Sequence, residues 1–172
     1  MSKMQRMKTL RTPALLLGLL YLCFFGCLAV AKPSLPTRIA THWDGSGRPD
    51  GWMSPSDHLR YMIVFGLTFP LIVPALCYIS RFVTWGFNIP HRDYWLAPER
   101  RSELFGYLLR QSLWFACMAL LFVIGVHLSI LHANASAQAY FSPLLVLGLA
   151  GTFLVGTAVW VVRMIRYLNR VP

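Results

Sequence analysis

Acidic side chains are scarce: the 172 residues hold 6 Asp plus Glu against 16 Lys plus Arg, and charges of both signs make up only 13% of the chain. A soluble domain carries roughly 25% charged residues, so an ordinary soluble enzyme is excluded. Cysteine is limited to four residues. Cys23, Cys27, Cys77 and Cys117 all fall in apolar segments and none in a connecting loop, so no structural disulfide is expected. Cys23 and Cys27 lie one helical turn apart and read as packing residues rather than soft-metal ligands. Also missing are a serine or cysteine nucleophile motif, a phosphate-cradling glycine loop and a dinucleotide fingerprint.

Long apolar runs are what the chain has in plenty. Hydrophobic residues make up 56%, and no Asp, Glu, Lys or Arg occurs in Thr12–Ala31, in Tyr61–Ser80, or anywhere from Gln111 to Val162. About 20 apolar residues cross a bilayer. The last run is too long for one span and is divided at the polar patch His132, Asn134, Ser136 and Gln138. Soluble helices would carry a polar stripe at helical spacing, which these lack. The reading is one integral-membrane domain over residues 1–172, an all-α membrane four-helix bundle, with spans near 13–31, 61–80, 108–132 and 142–162 and an ordered extracytoplasmic loop between the first two.

A net charge of +10 suggests a nucleic-acid partner in a soluble chain, but here position decides its meaning. Twelve of the sixteen bases lie before the first span, between the second and third, or after the fourth; with Asp93, Glu99 and Glu103 they leave +9 on that side. The first loop is nearly balanced, with Lys32, Arg38, Arg48 and Arg60 against Asp44, Asp50 and Asp57. The positive-inside rule then places both termini and the middle loop in the cytoplasm. The bilayer is the partner these charges address, and nucleic acid is not. Ala29-Val30-Ala31 also follows the pattern of a signal-peptide cleavage site, but the apolar run Pro13–Leu28 is long enough for a retained span.

Local signals mark where helices begin. Ser54-Pro55-Ser56-Asp57 offers a cap, a first-turn proline and an acid at the third position. Pro98-Glu99 and Ser142-Pro143 mark the third and fourth helices, the third about 35 residues long. Pro70 and Pro74 predict a kink or local opening in the second helix. Gly148, Thr152 and Gly156 form a small-residue face, a surface for close helix packing within the bundle or for a homo-oligomer. Trp43, Trp52, Trp85, Trp95 and Tyr61 fall near span ends and read as interfacial anchors.

Function should concentrate in the first loop, Leu35 to Trp52. Ile39–Trp43 reads as a short strand, and the loop's glycines with a Pro49-Asp50-Gly51 turn let the chain reverse sharply. His42, Trp43, Asp44, Gly47, Asp50 and Trp52 are its ligand or partner candidates. His42, Asp44, Asp50, Asp57 and His58 are metal-ligand types, but their spacing fits no metal signature, so neither a metal nor another cofactor is expected. His127, near the outer end of the third helix, is the intramembrane polar candidate, most simply a neutral histidine hydrogen-bonded to another helix. Tyr94, Trp95, Arg100 and Arg101 form a second, interfacial cluster, which anchors the middle loop or docks a cytoplasmic regulator.

Leu35-Pro36 followed by His42, Gly47, Pro49-Asp50 and Trp52, after a first span, resembles the small bacterial integral-membrane family known as domain of unknown function 1648. That family includes the N-terminal part of immunity proteins of the SdpI type, which protect cells from their own killing-factor peptide. The likeness covers about Leu20 to Val73, and Asn88–Arg101 resembles a segment of shorter members. The resemblance implies a non-catalytic membrane protein that senses or sequesters an extracytoplasmic peptide or small ligand through the Leu35–Trp52 loop. The residues leave two other classes open. One is a small transporter or accessory subunit built on the proline-bearing second helix and His127. The other is a membrane enzyme using His42 with Asp44 or Asp50 as base or metal ligand.

Overall fold

The structure is a computed structural model that describes residues 3–83 and 88–171, with backbone only for 3–9. Trp85 and the side chains of Lys3, Arg6 and Lys8 therefore fall outside the description. The order of elements is α1 (Lys3–Ala31), a single 3-10 turn (Lys32–Ser34), β1 (Ile39–Trp43), β2 (Pro49–Met53), α2 (Pro55–Ile79), α3 (Arg92–Leu96), α4 (Pro98–Asn134) and α5 (Pro143–Leu168). Four of these helices are long and apolar enough to cross a membrane, and the chain is a multi-pass membrane protein.

Helix starts follow their local chemistry. The Ser54 hydroxyl oxygen accepts from the Asp57 N–H at 3.1 Å and its O–H donates to the Asp57 carboxylate at 2.6 Å, with Pro55 in the first turn. Prolines also open α4 and α5. With 37 residues, α4 is about 55 Å long at ~1.5 Å per residue, well beyond a hydrocarbon core of about 30 Å.

The bundle is organised around α4, which packs against α1, α2 and α5. Its buried side chains Ala116, Cys117, Leu120 and Val123 meet Leu17, Phe24 and Leu28 of α1 and Met62 of α2. On α2 the buried positions His58, Met62, Gly66, Pro70 and Pro74 recur every fourth residue, one stripe facing the bundle. Gly66 is required there: a Cβ would come within 2.4 Å of the Phe24 ring. Of the kink or local opening expected at Pro70 and Pro74, the opening does not occur: α2 stays helical through both prolines, which lie buried on that stripe.

Aromatic rings hold α5 to the bundle. Phe153 sits 4.8 Å from Phe122, 5.8 Å from Phe69 and 6.1 Å from Phe115, and the Trp160 indole donates to the Gln111 carbonyl at 2.9 Å. The small-residue face is divided rather than continuous. Gly156 receives the Met118 sulfur of α4, while Gly148 and Thr152 are exposed on the outside of the bundle. The helix turns by 100° per residue, and the aromatic contacts of Phe153 and Trp160 rotate the first two away from α4.

Opposite the hairpin, a second cluster joins Trp95, Leu104, Phe105, Leu108 and Leu168. Trp95 is not a belt residue: it is 4% exposed, lies 5.2 Å from the Tyr167 ring and donates its indole N–H to the Leu168 carbonyl at 2.8 Å. A carbonyl at the end of α5 has no partner in its own helix, which gives the buried indole a place to bond.

Candidate functional site

The hairpin end of the bundle carries the sequence-selected residues. β1 and β2 pair antiparallel, Ile39 opposite Met53, Ala40 opposite Trp52, His42 opposite Gly51 and Trp43 opposite Pro49, with irregularities on both sides of His42. Gly51 makes that register feasible, since a Cβ there would lie 2.8 Å from the His42 Cβ. The chain reverses at Asp44–Arg48 and not at Pro49-Asp50-Gly51, which belongs to β2. Asp44 organises the reversal: its carboxylate accepts from the Ser46 N–H, the Ser46 hydroxyl and the Arg48 N–H at 2.9, 2.7 and 2.9 Å. These bonds, the Ser46 hydroxyl first, hold the Asp44 carboxyl below its ordinary pKa. Gly47 completes the turn with φ +83°.

The hairpin is docked on the bundle. Ile39 and Ala40 are buried, and Asn134 at the end of α4 serves as a strand partner for Ala40. Its carbonyl oxygen accepts the Ala40 N–H at 2.8 Å, and its NH2 donates to the Ala40 carbonyl at 2.9 Å and to the Ile130 carbonyl at 2.9 Å. That satisfies both backbone groups of a buried edge residue. The Trp43 indole donates to the Ala139 carbonyl at 2.7 Å and lies 4.6 Å from the Phe141 ring, and the Phe141 N–H donates to the Gly47 carbonyl at 3.0 Å. The turn between α4 and α5 therefore fixes the tip of the hairpin.

Two further features stand at this end. His42 and Asp50 project from the hairpin as an exposed pair, Nδ1 to Oδ1 at 2.5 Å. Beneath Thr41–Gly45, a cavity of about 570 Å³ opens between α4 and α5, with Phe122, Val126 and Ile130 on one wall and Val146, Leu147 and Ala150 on the other. Its roof is polar hairpin and its walls are apolar, the lining suited to an amphipathic ligand. His42, Trp43, Asp44 and Gly47 line it; Asp50 reaches it through His42, and Trp52 lies exposed on β2 outside it.

His127 is wholly buried and meets His58 of α2, Nδ1 to Nε2 at 3.3 Å with the rings stacked 5.4 Å apart. His127 Nε2 has no hydrogen-bond partner among the described residues. If His58 donates, His127 is left with a buried N–H unsatisfied; if His127 donates, it is left with a bare lone pair. His58 thus belongs to this pair and not with His42, Asp44 and Asp50. No group of three metal-ligating side chains occurs among the described residues.

At the other end, Tyr94 is half-buried; the Arg100 guanidinium lies 3.9 Å from its ring centre and donates to its hydroxyl, while Arg101 donates to the Arg81 carbonyl at 2.7 Å. Tyr94 and Arg100 thereby fasten α3 to α4, and one Arg101 N–H ties α4 to the end of α2.

Sequence reasoning missed Asn134 as a clamp, His58 as the partner of His127, and the whole α5 wall of the cavity. Only the first had a signal: a polar residue within an otherwise apolar run.

No curated protein and no solved structure matches this chain. Residues 19–59, from the second half of α1 through the hairpin to the first residues of α2, match the model of the family described as a domain of unknown function, DUF1648.

Proposed function

We propose that this protein is a non-catalytic membrane receptor that senses or sequesters an amphipathic extracytoplasmic peptide or small ligand at the hairpin end. The observation that carries the reading is the cavity of about 570 Å³ with a polar hairpin roof and apolar helix walls. Charge supplies the orientation: the bases concentrated before α1, around α3 and after α5 favour a bacterial inner-membrane protein with both termini in the cytoplasm and the hairpin outside. His42 and Asp50 then offer an exposed hydrogen-bonding pair to a polar ligand head, while Phe122, Val146 and Leu147 face its apolar part.

The test is complementation of a deletion strain exposed to its own spent medium. Wild type restores tolerance or response. Ala150→Phe, which puts a ring into the cavity, and the double variant His42→Ala/Asp50→Ala do not, at equal membrane levels. Full restoration by Ala150→Phe would sink the reading. A second reading, a small transporter, draws on the buried His58–His127 pair between α2 and α4. Solute flux in reconstituted vesicles that disappears in His127→Leu, while Ala150→Phe still complements, would favour it.

A further inference from the structure

At the end of the bundle away from the hairpin lies a second cavity, of about 780 Å³. Arg81, Arg101 and Arg110 line it, against one carboxylate, Glu103. Glu103 is engaged by the Tyr167 hydroxyl, which donates to it at 3.1 Å. No carboxylate among the described residues lies within 4 Å of any of the three guanidinium groups. They are held instead by neutral neighbours. Arg81 lies 4.8 Å from the Tyr78 ring centre, Arg110 lies 5.4 Å from that of Tyr107, and Arg101 donates one N–H to the Arg81 carbonyl. Aromatic and backbone contacts of this kind fix a guanidinium while leaving most of its five donors unspent.

Depth and polarity add to this. Leu10 begins the apolar stretch of α1, and Arg81 stands two residues past the end of α2, so the cavity lies where the spans leave the hydrocarbon. Pro98 also lines it, as the first residue of a 37-residue helix whose N-terminus has no side-chain cap. The positive end of α4 therefore acts in the same direction as the three arginines. Arginine forks suit a planar or tetrahedral oxyanion, and phosphate is the oxyanion abundant at a membrane surface.

We propose that this cavity binds a phosphate group, carried by an anionic phospholipid headgroup or by a soluble phosphate, between Arg81, Arg101 and Arg110. The site is separate from the hairpin cavity and does not depend on the receptor reading. It assigns these arginines a specific ligand where charge counting gives only a general attraction.

The experiment uses the full chain purified in a neutral detergent, with native mass spectrometry counting bound short-chain phosphatidic acid and, in a parallel arm, inorganic phosphate. Short-chain phosphatidylcholine is the neutral control. Wild type is expected to retain one phosphatidic acid and no phosphatidylcholine. Arg101→Gln and Arg110→Gln should each weaken binding by roughly 10-fold, the size of one lost charge-assisted hydrogen bond. Arg166→Gln, on the same side but outside the cavity, should bind as wild type. Because Arg101 also fastens the end of α2, Gly106→Asp provides an independent probe. Gly106 lines the cavity and a Cβ there meets nothing within 4 Å, so the variant adds a repelling charge without removing a contact and should abolish binding. Phosphatidic acid bound without inorganic phosphate identifies a lipid headgroup as the source; both bound with the same arginine dependence identifies the phosphate itself. Equal binding by wild type and Gly106→Asp, an equal loss in Arg166→Gln, or no binding of either probe by wild type would overturn the proposal.

Discussion

Gly47→Ala is the sharpest test of how the hairpin is held. The residue sits at φ +83°, where a non-glycine residue costs about 1–2 kcal/mol. A Cβ would also lie 2.3 Å from the Phe141 carbonyl oxygen and 2.8 Å from a Tyr140 ring carbon. The first of these is backbone, so no rotamer change relieves it. Separating the two segments stretches the Phe141 N–H to Gly47 carbonyl bond of 3.0 Å, worth about 0.5–1.5 kcal/mol net. Together the terms give roughly 1.5–3.5 kcal/mol against the docked hairpin. Expressed as local opening, that is roughly 10- to 300-fold faster amide exchange. Hydrogen exchange read by mass spectrometry on peptides covering 39–53 and 139–143 measures it directly, and Trp43 emission should shift to the red as its indole leaves the Ala139 carbonyl. Gly45→Ala is the matched control, because a Cβ there meets nothing within 4 Å and its φ is not positive. If Gly47→Ala exchanges like wild type, or Gly45→Ala exchanges equally fast, the tie between hairpin tip and α5 is refuted.

Other outcomes follow from the same geometry. Asn134→Ala leaves the N–H and carbonyl of buried Ala40 without partners, at about 1–3 kcal/mol each, so the hairpin should lose protection while the spans keep theirs; an Ala40 amide as slow as in wild type would contradict the clamp. Gly66→Ala forces Phe24 off α2 and should destabilise the α1–α2 packing by roughly 1–3 kcal/mol, seen as a lower thermal midpoint; an unchanged midpoint would show that the ring has room to move. Asp44, held below its ordinary value of 3.8, supports the turn above its unfolded pKa and loses that contribution as pH falls through the depressed value. An NMR titration should therefore place its midpoint below 3.8, and a midpoint at or above it would remove the Ser46 and Arg48 hydrogen bonds from solution.

The spans and their starting points were legible because their causes are local. A run without charge, a serine before a proline, and an acid three positions on act within one or two turns of the residues that carry them, and Ser54, Pro98 and Ser142 stand where those signals put them. Ile39–Trp43 as a strand followed from the same kind of reading. The hairpin turn was misplaced for an instructive reason: Pro49-Asp50-Gly51 has the composition of a turn, but Asp44 gathers three hydrogen bonds and closes the reversal earlier. Gly51 is a glycine because His42 lies across the ladder, a requirement set by register rather than by turn chemistry.

The site itself was legible only in part. His42, Asp44 and Gly47 were readable as a polar cluster beside a span, yet nothing near them in the chain announces the α5 wall that makes a cavity of the same place. His58 and His127 are 69 positions apart and meet because α2 and α4 run side by side. Trp95 looked like an interfacial anchor and is buried against Tyr167 and Leu168 from the far end of the chain. Sequence alone thus determined the membrane class, the four long apolar helices and the polar segment between the first two, because hydropathy and capping are properties of contiguous residues. The tertiary structure decided which polar groups become partners and where space is left between helices, because those depend on rotation and register between segments that no local pattern encodes.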